Sequence, residues 1–145
     1  MRWHDRPVIR EVTEPEPAVA AALERLVPQL SRSAGRPDLD AVLADGAVRL
    51  LVADDESGAI VGTLSLVLFH TPGGVHAQIE DVVVDTAARG LGLGRGLAVE
   101  ALRLAKDAGA RHVDLTSRPS REAANALYRS LGFVERETNV YRYEL

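Results

Sequence analysis

The chain of 145 residues contains no cysteine, which excludes disulfides, zinc–thiolate centres and redox chemistry on sulfur. Its single lysine is Lys106, so a phosphate loop ending in Gly-Lys-Ser or Gly-Lys-Thr cannot be built. No apolar stretch approaches the ~18 residues of a membrane span, and residues 1–7 lack the apolar core of a secretion signal. No period of roughly 20–50 residues repeats, which excludes solenoids. Positive charge is also in deficit: 17 Lys and Arg against 21 Asp and Glu give a net charge of −4. That balance argues against nonspecific affinity for nucleic acid or an anionic membrane, both of which need a broad positive surface.

What remains is an ordinary globular composition, 46% hydrophobic and 26% charged. Surface scaling at this mass gives ~7,200 Å² folded against ~22,600 Å² unfolded, enough buried area for one self-sufficient domain over residues 1–145. A cytoplasmic location is the expectation.

Hydrophobic spacing orders the chain. Residues 8–13 read as a strand stopped by Pro15 and Pro17. Val19, Leu23, Leu26 and Leu30 share one helical face, which Pro28 should end or kink. Asp38 to Ala44 is a short helix, closed by Gly46. Residues 48–53, 60–69 and 75–85 are three strand signals joined by turn clusters, hence antiparallel neighbours. A helix begins near Leu91 or Gly92, carries Leu93, Leu97, Ala101, Leu104 and Ala108 as its apolar stripe, and stops at Gly109. Residues 112–116 are strand-like, Ser120 is placed to cap a helix running to Leu131, and Gly132 ends that helix. Residues 134–145 alternate around Thr138 and Asn139 and predict a closing hairpin. The pattern β-α-α-β-β-β-α-β-α-β-β is α+β.

One segment carries chemistry. Arg89, Gly90, Leu91, Gly92, Leu93, Gly94, Arg95 and Gly96 follow a strand and open a helix. Glycine in a helix proper is less favourable than alanine by roughly 0.8–1 kcal/mol per residue. Backbone amides unobstructed by β-carbons, reinforced by the helix dipole, would offset that by holding an anion. From Thr86 to Val99 there are two arginines and no acidic residue. The segment therefore reads as a pyrophosphate cradle, against the plainer alternative of a connector that lets helix and strand approach closely. A dinucleotide fingerprint would place Asp114, 20 residues beyond Gly94, on a ribose, but the strands preceding the loop are of the wrong kind.

Arg89-x-x-Gly92-x-Gly94 resembles the Q/R-x-x-G-x-G/A signature of the GNAT N-acetyltransferases. The strand Ile79, Glu80, Asp81, Val82, Val83, Val84, Asp85 is similar to the one this family places before its loop. Residues 126–133, containing Tyr128, Gly132 and Phe133, are similar to its second signature. The resemblance covers nearly the whole chain. It implies an α+β, mostly antiparallel sheet splayed at the acetyl-CoA site, with helices on both faces. It further implies N-acetyl transfer from acetyl-CoA to a small-molecule amine by direct attack, in keeping with the lack of a cysteine for a covalent route. The competing reading is a CoA-binding module without turnover. The family often pairs, which leaves a homodimer open.

An alkyl ammonium must lose a proton before attacking a thioester. Glu80 is the favoured base, directly or through water. Strand parity groups Gln78, Glu80, Val82 and Val84 against Ile79, Asp81, Val83 and Asp85, and a bulge would swap that phase, which keeps Asp81 as a rival. A solvated surface role for Glu80 is the plainer alternative. The resemblance makes Tyr128 the general acid for the departing thiolate, although with Gly132 as helix cap it would also pack against Phe133. By the same resemblance Val82, Val83 and Val84 hold the pantetheine arm through their backbone, Arg89 to Arg95 hold the pyrophosphate, and Asn125 reaches the pantetheine amides. Arg121 stands where many members carry asparagine, and Leu91 replaces the usual lysine or glutamine.

His4, His70, His76 and His112 lie far apart and form no metal-ligand spacing, so no metal is expected. His70 and His76 flank a glycine turn where substrate could lie. Trp3, Tyr141 and Tyr143 read as core or interface. Arg32 and Arg36 sit on a loop that borders the acceptor site in this family; they read either as attracting an acidic acceptor or as part of a solvated loop.

Overall fold

Apolar spacing and capping chemistry set the elements of the computed structural model, which describes residues 8–31 and 34–145. The readings for residues 1–7, among them Trp3 and His4, and for Arg32 lie outside these. In order come β1 (Val8–Val12), α1 (Pro17–Leu26) with a 3₁₀ turn (Val27–Gln29), α2 (Leu39–Ala44), β2 (Val48–Asp54), β3 (Ile60–Thr71) and β4 (Gly74–Val84). A second 3₁₀ turn (Thr86–Ala88), α3 (Leu93–Asp107), β5 (Val113–Asp114) and α4 (Glu122–Ser130) complete the chain.

Local chemistry explains most of the boundaries. Pro17 sits at the first position of α1, and Pro28 turns its end into the 3₁₀ segment. The Asp38 carboxylate accepts from the Ala41 amide at 3.0 Å and caps α2. Gly109 takes φ +88° just beyond α3, as the left-handed stop requires. Ser120 does not cap α4: Arg121 occupies that position without a side-chain bond. Instead Asn125 Nδ2 donates to the carbonyls of Arg118 and Arg121 at 2.8 and 2.9 Å, tying the helix to the preceding loop.

The five strands form one sheet in sequential order, β1 to β4 antiparallel and β5 parallel to β4. Helices cover both faces. Leu93, Leu97, Ala101 and Leu104 of α3 pack with Leu51, Leu64, Leu66, Ala77 and Ile79. Val19, Leu23 and Leu26 of α1 pack with Leu39 of α2 and with Leu50, Val52 and Val83 on the other face. At ~25 cal/mol per Å² of apolar surface, these two layers supply the dominant stabilisation.

Two irregularities position the site. Only Ala77 and Gln78 of β4 pair with Val113 and Asp114, so beyond Gln78 the sheet splays open as expected. The β3–β4 register also shifts, Ser65 facing Glu80 while Thr63 faces Val83, so Asp81 and Val82 together oppose Leu64. This β-bulge holds Asp81 at φ +50°, the one positive φ outside glycine among the described residues. It overturns the simple parity of the strand: Ala77 and Ile79 face α3, and after the extra residue so do Val82 and Val84, while Val83 faces α1.

The hairpin expected over residues 134–145 does not form. These residues carry neither helix nor strand, and Val134, Val140, Tyr141, Tyr143 and Leu145 are exposed, so the two tyrosines are not core. An isolated hairpin is marginal in water, and β5 is too short to template one. The accessible surface is 10016 Å², about 2,800 Å² more than the ~7,200 Å² of a compact chain of this mass, and this exposed tail contributes to the excess.

Candidate active site

β4 delivers its polar residues to the side away from α3. There a cavity of about 490 Å³ is lined by Leu23, Val27 and Leu30 from α1 and its 3₁₀ extension, by Thr63 and Ser65 of β3, and by Asp81. Arg36 stands on its wall as well and pairs with Glu24, Nη2 to Oε1, at 3.2 Å. A second concavity of about 570 Å³ shares Arg36 but has no residue from β4 or the glycine segment. The smaller cavity is therefore the one joined to the chemistry. Glu80 and Asp81 are both exposed; Glu80 accepts a hydrogen bond from Gln78 Nε2 at 2.5 Å, whereas Asp81 contributes directly to the cavity wall. Thr63 and Ser65 were legible as polar residues at alternate positions of an apolar strand, but the sequence reading did not single them out.

β4 runs into the glycine segment through a built joint. Asp85 accepts from Ala87 N at 3.4 Å and caps the 3₁₀ turn, and its own amide bonds Val61 O at 2.7 Å. Gly90 and Gly92 then adopt φ +84° and +75°, where an L side chain is strained, and Gly92 caps α3. The first amide to find an intrachain acceptor is that of Gly96, which bonds Gly92 O at 3.0 Å. Among the described residues nothing accepts from the amides of residues 90–95. Six successive donors are thus left without an intrachain acceptor at the positive end of a fifteen-residue helix, an arrangement suited to an anion.

Not all the glycines serve that purpose. A β-carbon on Gly94 would lie 3.3 Å from Leu127 Cδ2, and one on Gly96 would lie 3.2 Å from Ile9 Cδ1. These two let α3 approach α4 and β1, which is the plainer role considered for the whole segment. At Gly90 and Gly92 an added β-carbon meets open space, so only the backbone conformation requires glycine. Arg95 Nη1 donates to Ser130 Oγ at 3.2 Å and joins the helix to α4, while Leu91 is exposed.

α4 ends in the cap foreseen for it: Phe133 N bonds Tyr128 O and Gly132 N bonds Arg129 O, both at 3.0 Å, with Gly132 at φ +98°. The Tyr128 and Phe133 rings meet edge to face, centroids 5.7 Å apart. Packing does not consume the phenol. Its ring is buried, yet its hydroxyl bonds no other described residue and is not sealed from solvent. Burial raises the Tyr128 pKa above its ordinary 10.0, opposed by the Arg121 charge, so the phenol stays protonated at neutral pH. Asn125 has both amide hydrogens committed to Arg118 and Arg121, which leaves only its oxygen for a ligand.

Elsewhere, His76 Nε2 lies 2.8 Å from Thr71 Oγ1, and its ring stacks on Phe69 and meets His112 edge-on at 6.2 Å. Among the described residues no three His, Asp or Glu are grouped to hold a metal ion. None of the helices there is long and apolar enough to cross a membrane.

Residues 17–133 match the acetyltransferase (GNAT) family. The chain belongs to that family. It is 37% identical over 144 residues to a rice (Oryza sativa subsp. japonica) protein named as a probable glucosamine 6-phosphate N-acetyltransferase, covering 92% of this chain and 84% of the relative. A glucosamine 6-phosphate N-acetyltransferase of Trypanosoma brucei brucei is 35% identical over 91 residues, 61% of this chain and 60% of the relative. The crystal structure of a Trypanosoma brucei acetyltransferase superposes with a TM-score of 0.77 at 26% identity, covering 96% of this chain and 99% of that one. This GNAT chain is thus an acetyl-CoA-dependent N-acetyltransferase, with the splayed α+β sheet that its sequence implied.

Proposed function

We propose that this GNAT enzyme transfers the acetyl group of acetyl-CoA to the amine of a small anionic amino sugar of the glucosamine 6-phosphate type. The observation that carries the donor half is the run of unclaimed amides at residues 90–95, directly after a strand whose second edge is open beyond Gln78. The amides hold the pyrophosphate, with Arg89 and Arg95 as flanking charge, and the open edge at Val82, Val83 and Val84 receives the pantetheine arm. Asn125 accepts from a pantetheine amide through its oxygen.

The acceptor half rests on the cavity beside the bulge. Its wall carries the Asp81 and Asp38 carboxylates, the Ser31 and Ser65 hydroxyl groups and the Arg36 guanidinium, groups suited to an ammonium, sugar hydroxyls and an anionic substituent, while the buried Thr63 hydroxyl is spent on Leu51 O at 3.0 Å. The 37% identity to the rice relative supports the same acceptor class.

We assign the proton acceptor to Asp81, which stands on the cavity wall, ahead of Glu80, whose carboxylate is engaged by Gln78. The carboxylate takes a proton from the ammonium, and the freed nitrogen lone pair attacks the thioester carbonyl carbon. A backbone amide among Val82–84 steadies the resulting oxyanion. The carbon–sulfur bond then breaks, the nitrogen gives its second proton to solvent and Tyr128 protonates the departing thiolate, leaving amide and free CoA; the Asp81 carboxyl releases its proton to solvent and the phenolate regains one.

The exposed tail and the open outer edge of β5 support a second copy as partner. Exchange of twelve-residue tails would bring about two dozen residues per copy into contact, a standard-sized interface. The cytoplasm remains the proposed location.

Thermal unfolding with and without acetyl-CoA tests the donor site: at ~100 Kd the ligand adds about 2.7 kcal/mol. Thiol release with glucosamine 6-phosphate tests the acceptor. Stabilisation by NAD and none by acetyl-CoA overturns the reading.

A further inference from the structure

The cavity wall and the amide cradle are separate in sequence, yet two side-chain links join them. Arg25, on the last turn of α1, sends Nε to Asp85 Oδ2 at 3.4 Å and donates from Nη2 to the Ile60 carbonyl at 2.5 Å. One turn on, Gln29 accepts from Thr86 Oγ1 at 3.3 Å through Oε1, while its Nε2 donates back to Arg25 O at 3.4 Å. Asp85 is shared: Oδ1 caps the turn that leads into the cradle, and Oδ2 is held by the helix whose Leu23, Val27 and Leu30 line the cavity. These contacts tie residues 85 and 86, in the joint that leads into the cradle, to this segment of α1.

We infer that Arg25 and Asp85 form a latch that couples occupancy of the cradle to the acceptor wall at residues 23–30. Both are positioning residues, since neither needs to touch a reacting atom. A single carboxylate with its two oxygens divided between two elements transmits displacement in both directions, and the coupling must be reciprocal. The inference rests on the cradle reading above.

Hydrogen exchange of the intact protein with saturating CoA separates the two. In the wild type, CoA should slow exchange at residues 89–96 and also, by roughly fivefold or more, at 23–30. Arg25→Met should keep the first protection and lose the second. Arg25→Lys, which restores the cation, should recover part of it. Asp85→Asn leaves an amide oxygen to cap Ala87 while removing the charge that meets Arg25; it should likewise keep the first protection and lose the second, and so tests the latch even where Arg25→Met fails to fold. Protection confined to 89–96 in the wild type, or persisting at 23–30 in the variants, overturns the latch. No protection at 89–96 in the wild type overturns the cradle reading itself.

Discussion

Gly92→Ala isolates the contribution of backbone conformation at the cradle. At φ +75° an alanine is disfavoured by roughly 1–2 kcal/mol, and the added carbon meets nothing within 4 Å, so no clash adds to that strain. The amide itself remains. If the loop holds its shape, the strain lowers stability, equivalent to about 3–8 °C in Tm for a domain of this size. If the loop relaxes, the donors swing away and CoA affinity falls, about 5–30-fold for the same energy. Gly94→Ala is the matched control, since its backbone is helical and its new carbon crowds the end of Leu127 at 3.3 Å and meets Val84 Cγ2 at an ordinary 3.9 Å. Alanine is the better helix former there by up to about 1 kcal/mol, which offsets the crowding. Calorimetric titration with CoA and thermal scans of both variants should show Gly92→Ala losing Tm or affinity, with Gly94→Ala near wild type. A Gly92→Ala protein unchanged in both, or Gly94→Ala as the weaker CoA binder, refutes the assignment of work among these glycines.

Tyr128→Phe should lower kcat about 100-fold or more while leaving CoA affinity within about twofold, read by thiol release and titration. Because burial raises the Tyr128 pKa, the unfolded chain loses the phenolic proton first, so its contribution to stability is lost as pH rises above 10.0. Thermal scans between about pH 9 and 11 should therefore show the wild type losing Tm faster than Tyr128→Phe. Asp81→Asn should abolish most of kcat/KM, whereas Glu80→Gln should cost less than about tenfold; the reverse ranking restores Glu80 as base. Sedimentation should give a dimer for the wild type and a monomer when Tyr141 and Tyr143 are both changed to Asp, and a monomeric wild type removes the second copy from the account.

Period and capping made the helices legible. Val19, Leu23 and Leu26, then Leu93, Leu97, Ala101 and Leu104, fall on faces that the structure buries, and Gly132 is the left-handed cap its position implied. The bulge was not legible, because Ile79 to Asp85 alternates acceptably in either phase and no residue announces the extra insertion. Gly94 and Gly96 could not be distinguished from Gly90 and Gly92 for a related reason. Close packing and positive φ both favour glycine, and only the folded structure separates them. The tail failed differently: its alternation is genuine strand chemistry, but a strand needs a neighbour, and one copy of the chain offers none long enough.

The strain at Asp81 is best understood through what the regular alternative would do. Without the extra residue, Val82 and Val84 would turn toward α1 and Val83 toward α3, stripping apolar groups from the α3 cluster and exposing them at the cavity. Nor could Glu80 and Asp81 both lie on the side away from α3, because successive strand residues point oppositely. A single insertion resolves both conflicts. It returns the valines to α3, sets Asp81 on the cavity wall, and lies just before Val82–84, where β4 has already lost its β5 neighbour. A residue held at φ +50° costs of order 1–3 kcal/mol, and asparagine tolerates that region better than other side chains. Asp81→Asn should therefore retain the wild-type Tm while losing activity, and Asp81→Val should lose both. An Asp81→Val enzyme that stays stable would mean the bulge is not anchored where the structure puts it.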